Sequence, residues 1–357
     1  MKRVAYYISD YGYGHATRNV AIIRALLRKR NDLEIVICHS YALEFLKQSF
    51  IGERRVFFRS LRTDVGYILK ERSIEPDVKR LEAALSNHYK YKEPFIEREK
   101  LFYQEKGINA IITDISPLPI EAAFEANIPS IGISNFTWYT AYQGLIQQSL
   151  LQLLQASYEK LSYFFAVACS KERHWGRVGN RNFGFYAREI DLNKVKAIRE
   201  KVNPDHNKTL VFFGLGMKMN ISINELTLWN SPNCEFIVSS NVDVDLPNVT
   251  KIPEKEIESQ NYIAVTDIVI TKAGWGTVSE AIAGKTPLLI IDRKGMQEDQ
   301  NTIDYLQEHK LCKTIEWGQF KNIVITDDLV NELNQIQFNT WYNDADKIAL
   351  SMINLLK

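Results

Sequence analysis

Three groups of side chains in this sequence have the types and spacing for chemistry on a hydroxyl or an anion. The first is the loop Asp10-Tyr-Gly12-Tyr-Gly14-His15-Ala-Thr-Arg18, which follows an apolar run and opens a stretch of helical period. Its glycines allow a tight turn, and an imidazole at the mouth of a sheet can take a proton from a hydroxyl nucleophile. A loop histidine hydrogen-bonded for structure is the alternative. Asp114 closes the run Ile111-Ile112-Thr113; it can either orient His15, as the third group of a triad does, or cap the Ser116-Pro117 turn. The third group is Lys272-Ala-Gly274-Trp-Gly276-Thr277-Val278-Ser-Glu280, again between an apolar run and a helical stretch. Backbone N–H groups freed by the glycines, the positive end of a helix and Lys272 together suit a phosphate. Thr277-x-x-Glu280 also fits a capping box, in which both side chains only satisfy helix-end donors.

Weaker signals surround these. Gln297-Glu-Asp299-Gln300-Asn301 packs five polar side chains that can bind sugar hydroxyls or form a solvated first helical turn. Asp243-Val-Asp245 imitates a metal-binding Asp-x-Asp without a further acidic partner. Arg54-Arg55-Val-Phe57-Phe58-Arg59 with Arg62 can touch anionic lipid, but its alternation also describes an amphipathic strand. The first loop is not a dinucleotide fingerprint. Its third glycine position is Thr17, and the next apolar run ends in Cys38-His39 rather than an acid.

The elements that must position these groups read as α/β. Val4–Ile8, Glu34–Cys38, Ala110–Thr113, Ser130–Ser134 and Phe164–Ala168 are apolar runs in the first half. Leu210–Phe213, Glu235–Val238, Ile268–Thr271 and Leu288–Ile291 follow in the second. Such runs, separated by helical stretches, predict parallel strands covered on both faces. Val20, Ile23, Leu26 and Leu27 share one helical face. Residues 109–134 can be laid over 266–291, each running strand, loop, Glu-Ala helix, proline, strand. The repeat predicts two Rossmann-like domains facing across a cleft, at 1–187 and 188–339. It leaves a charged helical insertion at 60–106 and a final amphipathic helix at 340–357 that packs back on the first domain.

With 357 residues the length suits two domains. Lys+Arg (44) and Asp+Glu (43) nearly cancel, so no global field recruits nucleic acid. Cys38, Cys169, Cys234 and Cys312 lie far apart, which argues for reduced thiols and against a zinc site. The first apolar run is too short for a signal-peptide core, and no segment approaches a membrane span. These features predict a cytoplasmic protein, with weak support for peripheral membrane contact.

On these residues the chain resembles the GT-B nucleotide-sugar glycosyltransferases. The resemblance is to the group holding the bacterial cell-wall N-acetylglucosaminyltransferase and the UDP-sugar transferases of small molecules. Gly14-His-Ala-Thr-Arg18, Asp64-Val-Gly66, Asp114-Ile-Ser-Pro117 and Asn135-Phe-Thr-Trp138 are in addition similar to the glycosyltransferase-like domain of plant L-arabinokinases. The resemblance implies an inverting, metal-independent transfer with no cofactor beyond a nucleotide-sugar co-substrate. It implies His15 as base and Asp114 as its orienting acid. It further implies diphosphate contacts at Lys272, Gly274, Gly276, Thr277 and Val278, a ribose carboxylate in Glu280, and donor-sugar contacts at Asp299 and Gln300. Lys272 stands where the small-molecule transferases carry a histidine. Gly214 and Gly216 match the second glycine loop near the donor, without its usual polarity, and uracil or thymine would stack near Ile252. Gly14, Arg18, Asn135, Trp138, Tyr139 and Tyr142 are the expected acceptor contacts. Two other readings stay open: a sugar-nucleotide hydrolase or 2-epimerase, and a non-catalytic binding module.

Overall fold

The computed structural model describes residues 1–71, 75–215, 223–293, 295–338 and 341–356. The chain forms two compact units, one of Met1–Lys70, Ile74–Gly184 and Asp344–Lys357, the other containing Phe185–Asn343.

The first unit is built on seven parallel strands: β1 (Lys2–Ile8), β2 (Leu33–His39), β3 (Val56–Ser60), β4 (Ala110–Asp114), β5 (Ser130–Ser134), β6 (Tyr163–Ala166) and β7 (Gly179–Asn182). Their order is β3-β2-β1-β4-β5-β6-β7. The pleat of β1 explains its unbroken apolar run. Ala5 and Tyr7 face a cluster with Ile96, Phe102 and Tyr103 of the helix Lys92–Lys106. Tyr6 points the other way, and its hydroxyl donates to Asn19 Oδ1 of the first helix, Tyr13–Lys29, at 2.7 Å. Both faces are covered, so no polar residue is needed in alternation.

The second unit has six parallel strands, β8 (Thr209–Gly214), β9 (Cys234–Val238), β10 (Val249–Lys251), β11 (Ile268–Lys272), β12 (Leu288–Asp292) and β13 (Cys312–Glu316), in the order β10-β9-β8-β11-β12-β13. The internal repeat is realised in both sheets. β4, the helix Pro117–Glu125 and β5 occupy the same place beside β1 as β11, the helix Trp275–Gly284 and β12 do beside β8. In each sheet the first strand has neighbours on both sides, and its C-terminal end is where chains leave in opposite directions. Ligands of open α/β sheets bind at such ends.

The insertion contains the helices Val78–Lys90 and Lys92–Lys106. The basic-aromatic stretch is the edge strand β3 and its approach. Arg59 pairs with buried Glu99, lies over the Phe102 ring at 4.2 Å, and Arg55 pairs with Glu53. Those two cations are spent on internal partners, which removes them from a lipid-binding role. The last helix, Ala345–Leu355, packs on the first, burying Ile348, Ala349 and Met352, while Asp346 meets Arg28 at 3.1 Å and Lys29 at 2.7 Å. Trp341, expected in that helix, instead packs on Phe185 and Tyr305 of the second unit. No described helix is long and apolar enough to cross a membrane.

Candidate active site

At the C-terminal edge of the first sheet, Asp10 ties three loops together. Its Oδ1 accepts from the backbone N–H groups of Ser40 (2.8 Å) and Tyr41 (3.0 Å), and its Oδ2 from that of Thr63 (2.8 Å). Gly12 then turns the chain at φ +87°, a conformation that favours glycine, and the helix begins at Tyr13. This places His15 in the first helical turn, over the end of β4, because Ile8 and Asp114 are paired in the β1–β4 register.

His15 Nδ1 lies 2.8 Å from Asp114 Oδ2. The carboxylate has no proton to give, so Nδ1 carries the hydrogen and donates it. Nε2 is then the lone-pair nitrogen, with no protein partner among the described residues. Asp114 is wholly buried and saturated. Its Oδ2 also accepts from Arg18 Nε (3.1 Å) and Asn19 Nδ2 (2.5 Å), and its Oδ1 from an Arg18 terminal nitrogen. Burial opposes the charge on Asp114, yet Arg18 and then His15 hold its carboxyl well below the usual carboxylate range. His15 is pulled below 6.5, first by burial and also by Arg18, against the opposing pull of Asp114. The imidazole is therefore neutral at neutral pH. Directly after Asp114, Ile115 sits at φ +61°, a left-handed conformation that is strained for a β-branched residue. Its carbonyl accepts from the Tyr158 hydroxyl at 2.6 Å.

In the second unit the segment after β11 repeats this geometry with different chemistry. The helix Trp275–Gly284 starts at Gly274 with no side-chain cap, so the Thr277–Glu280 capping box does not form. Glu280 turns instead to Arg188, whose Nε (2.9 Å) and Nη2 (2.7 Å) both donate to Oε1. Arg188 is buried and anchored on the Ser259 hydroxyl (3.0 Å) and the Ile257 carbonyl. Glu280 Oε2 receives no donor among the described residues. Asp299, in the first turn of the helix Gln297–Glu308, is gripped through Oδ2 by Arg293 Nε at 2.8 Å. Among the described residues no group of three His, Cys, Asp or Glu could hold a metal ion.

No protein-family profile matches the chain. It is 23% identical over 317 residues to the L-arabinokinase of Arabidopsis thaliana, matching 85% of this chain and 30% of that protein. Solved structures match over the full length. The glycosyltransferase SnogD from Streptomyces nogalater superposes with a TM-score of 0.63 at 12% identity, covering all of both chains. UGT71G1 of Medicago truncatula, solved with UDP-glucose, gives 0.63 at 12% identity over 99% of this chain and 98% of that one. UGT89C1 of Arabidopsis thaliana, solved with UDP, gives 0.62 at 12% over 100% and 96%. The chain has the GT-B fold.

Within this GT-B chain the expected residues divide sharply. His15, Asp114, Arg18 and Asn135 form one connected network, since Arg18 Nη1 donates to Asn135 Oδ1 at 2.8 Å. Gly14 is exposed beside it. Trp138 and Tyr142 are core residues rather than acceptor contacts: 1% and 0% exposed, they stack on each other at 5.1 Å. The Trp138 indole N–H donates to buried Asp64 at 2.9 Å, and burial with the nearby Asp10 charge pushes that carboxyl up to about 7. Tyr139 is half-buried, edge-on to Trp175. In the second unit Lys272, Gly274, Gly276 and Thr277 surround the helix start, whereas Val278 is core. Gln300 is exposed and donates to Asp304. Gly214 ends β8 and Ile252 is buried after β10; Gly216 lies outside the described residues. The sequence motifs omit Arg188 and Arg293, because each acts only through a partner brought to it by folding.

Proposed function

We propose that this chain transfers a sugar from a nucleotide diphosphate sugar, UDP-linked, to an acceptor hydroxyl, with inversion and without a metal ion. The observation that carries the reading is the His15–Asp114 pair: a neutral imidazole, its Nδ1–H fixed on an ionised carboxylate, with Nε2 left to accept a proton. His15 would take the proton of the acceptor hydroxyl as its oxygen bonds to the anomeric carbon. The bond from that carbon to the diphosphate oxygen breaks, and the nucleoside diphosphate leaves with the electron pair. A single displacement of this kind inverts the carbon. Lys272 and the N–H groups at the start of the helix Trp275–Gly284 would meet the leaving charge. Glu280 Oε2 suits a ribose hydroxyl, and Asp299 with Gln300 suits hydroxyls of the donor sugar. The GT-B fold and the UDP-glucose bound to UGT71G1 support the donor class.

The test is a thermal-shift screen with UDP-, TDP- and GDP-sugars, followed by transfer assays over an acceptor panel with and without EDTA. A UDP-sugar should raise the melting temperature, since a ligand of the native state adds stability. Transfer should survive EDTA, and His15→Ala should lower it by about 10²- to 10⁴-fold. A His15→Ala protein as fast as the parent would sink the base assignment. The L-arabinokinase match favours a second reading, a nucleotide-sugar binding module within a larger protein. Binding without turnover of any donor would establish that reading, and hydrolysed or epimerised sugar formed without an acceptor would point to a hydrolase or 2-epimerase.

A further inference from the structure

Arg18 is the residue of the first loop whose expected role the geometry changes. As an acceptor ligand it would have to face solvent, but it is 4% exposed and its donors point inward. Nε reaches Asp114 Oδ2 at 3.1 Å, Nη1 reaches Asn135 Oδ1 at 2.8 Å, and Nη2 reaches Asp114 Oδ1 and the Ser134 hydroxyl, the latter at 3.0 Å. One planar group thus joins the ends of β4 and β5 to the helix that carries His15, one turn earlier on the same face. Nη2 also lies 3.0 Å from His15 Nδ1. Both are donors, so they share Asp114 rather than bonding to each other.

We propose that Arg18 is a positioning residue, whose guanidinium immobilises Asp114 and so fixes His15 in the tautomer with hydrogen on Nδ1 and Nε2 turned to the acceptor. The base role of His15 in this statement rests on the proposed transferase reading. The groups facing His15 are Asp114 from β4, Arg18 from its own helix and His39 from the end of β2, with the rings of Tyr11 and Phe136 at its sides. Asp114 alone would favour a second proton on the imidazole; Arg18 and His39 oppose it. Arg18 therefore gives Asp114 the means to orient the ring without making it an imidazolium at neutral pH. A lysine in its place would keep the charge but lose the fork.

The experiment is ¹⁵N NMR of the histidine side chains in the full-length protein, titrated for the parent, Arg18→Lys and Arg18→Met, with circular dichroism to establish folding. The parent should show His15 with Nδ1 protonated and a midpoint below 6.5. Arg18→Met should move that midpoint upward, because the opposing cation is gone while Asp114 remains. Arg18→Lys should keep the midpoint close to the parent but mix the two tautomers. If the methionine variant does not fold, the lysine variant decides alone: tautomer mixing supports the proposal, an unchanged pure tautomer overturns it. A folded methionine variant with unchanged tautomer and midpoint also overturns it. In a transfer assay Arg18→Lys should lower kcat by about a hundredfold with KM unchanged, whereas an acceptor ligand would raise KM. A parent with no transferase activity would remove the proposed function but leave the NMR outcome intact, so the two failures are distinguishable.

Discussion

Two buried carboxylates, Asp114 at the end of β4 in the first unit and Glu280 on the helix Trp275–Gly284 in the second, are each held by a buried arginine. They differ in what the arginine leaves over. Asp114 has both oxygens occupied, by His15, Arg18 and Asn19, and is wholly buried. Glu280 has both arginine bonds on Oε1, and Oε2 is not claimed among the described residues. A saturated carboxylate can only position its partners. A carboxylate with one oxygen left over is oriented by its arginine and still able to accept from a ligand. The repeated strand–loop–helix unit thus carries a buried carboxylate at its strand end in one unit and on its helix in the other, and buried arginine is the device common to both.

The comparison predicts that the two carboxylates fail differently. Asp114→Asn should lower transfer by about 10²- to 10⁴-fold, because an amide can donate as well as accept and no longer enforces one His15 tautomer. It should also destabilise the protein by about 3–5 kcal/mol by leaving Arg18 buried without its counter-charge. Steady-state kinetics and urea unfolding would measure the two effects, and donor KM should be unchanged. Arg188→Met should cost a similar 3–5 kcal/mol in stability, and donor affinity should fall while the pH profile of turnover stays as in the parent. An unaltered donor affinity would break the assignment of Glu280 to the ligand. Glu280→Gln should raise donor KM about tenfold, the loss of one charge-assisted hydrogen bond, with kcat little changed.

Smaller effects sharpen the contrast. Trp138→Phe should cost about 1–2 kcal/mol by removing the N–H that Asp64 accepts, and acceptor KM should not move, as befits a core residue. A changed acceptor preference would return Trp138 to the site. A further effect, confined to low pH, concerns acid. His15, His39 and His88, all in the first unit, are pulled below 6.5 chiefly by burial, and His88 reaches about 4 with help from Arg62. A histidine whose folded value is lowered contributes stability that is full above 6.5 and lost as pH falls towards the folded value. For His88 that window runs from 6.5 to about 4, an effect of up to roughly 3 kcal/mol. His88→Leu should therefore flatten the fall in melting temperature between pH 7 and pH 4.5.

What is legible in the amino-acid sequence follows the same division between burial and partnership. The nine apolar runs read as strands are the nine interior strands of the two sheets. The four strands outside that set, β3, β7, β10 and β13, are all sheet edges. Gly179-Asn-Arg-Asn182 has no apolar residue and Val249-Thr-Lys251 has three residues in all, so neither carries a hydrophobic signal. The repeat was legible because it is local: strand, loop and helix lie within 26 residues of chain. Many of the aromatic rings proved to be core, among them Trp138, Tyr142, Tyr6 and Tyr7.

The sequence by itself determined the α/β class, the doubled strand–loop–helix unit, the positions of Asp114 and Lys272 at strand ends and those of His15 and Glu280 near the starts of the stretches that follow strands. Those features depend on periodicity and on neighbours a few residues away. Only the tertiary structure decided what each charged group does. It took Arg18 from the acceptor and gave it to Asp114, turned Glu280 from its own helix cap to Arg188, 92 residues away, and closed Asp299 onto Arg293. A buried charge must find its counter-charge wherever folding brings one, and that pairing is invisible in sequence order.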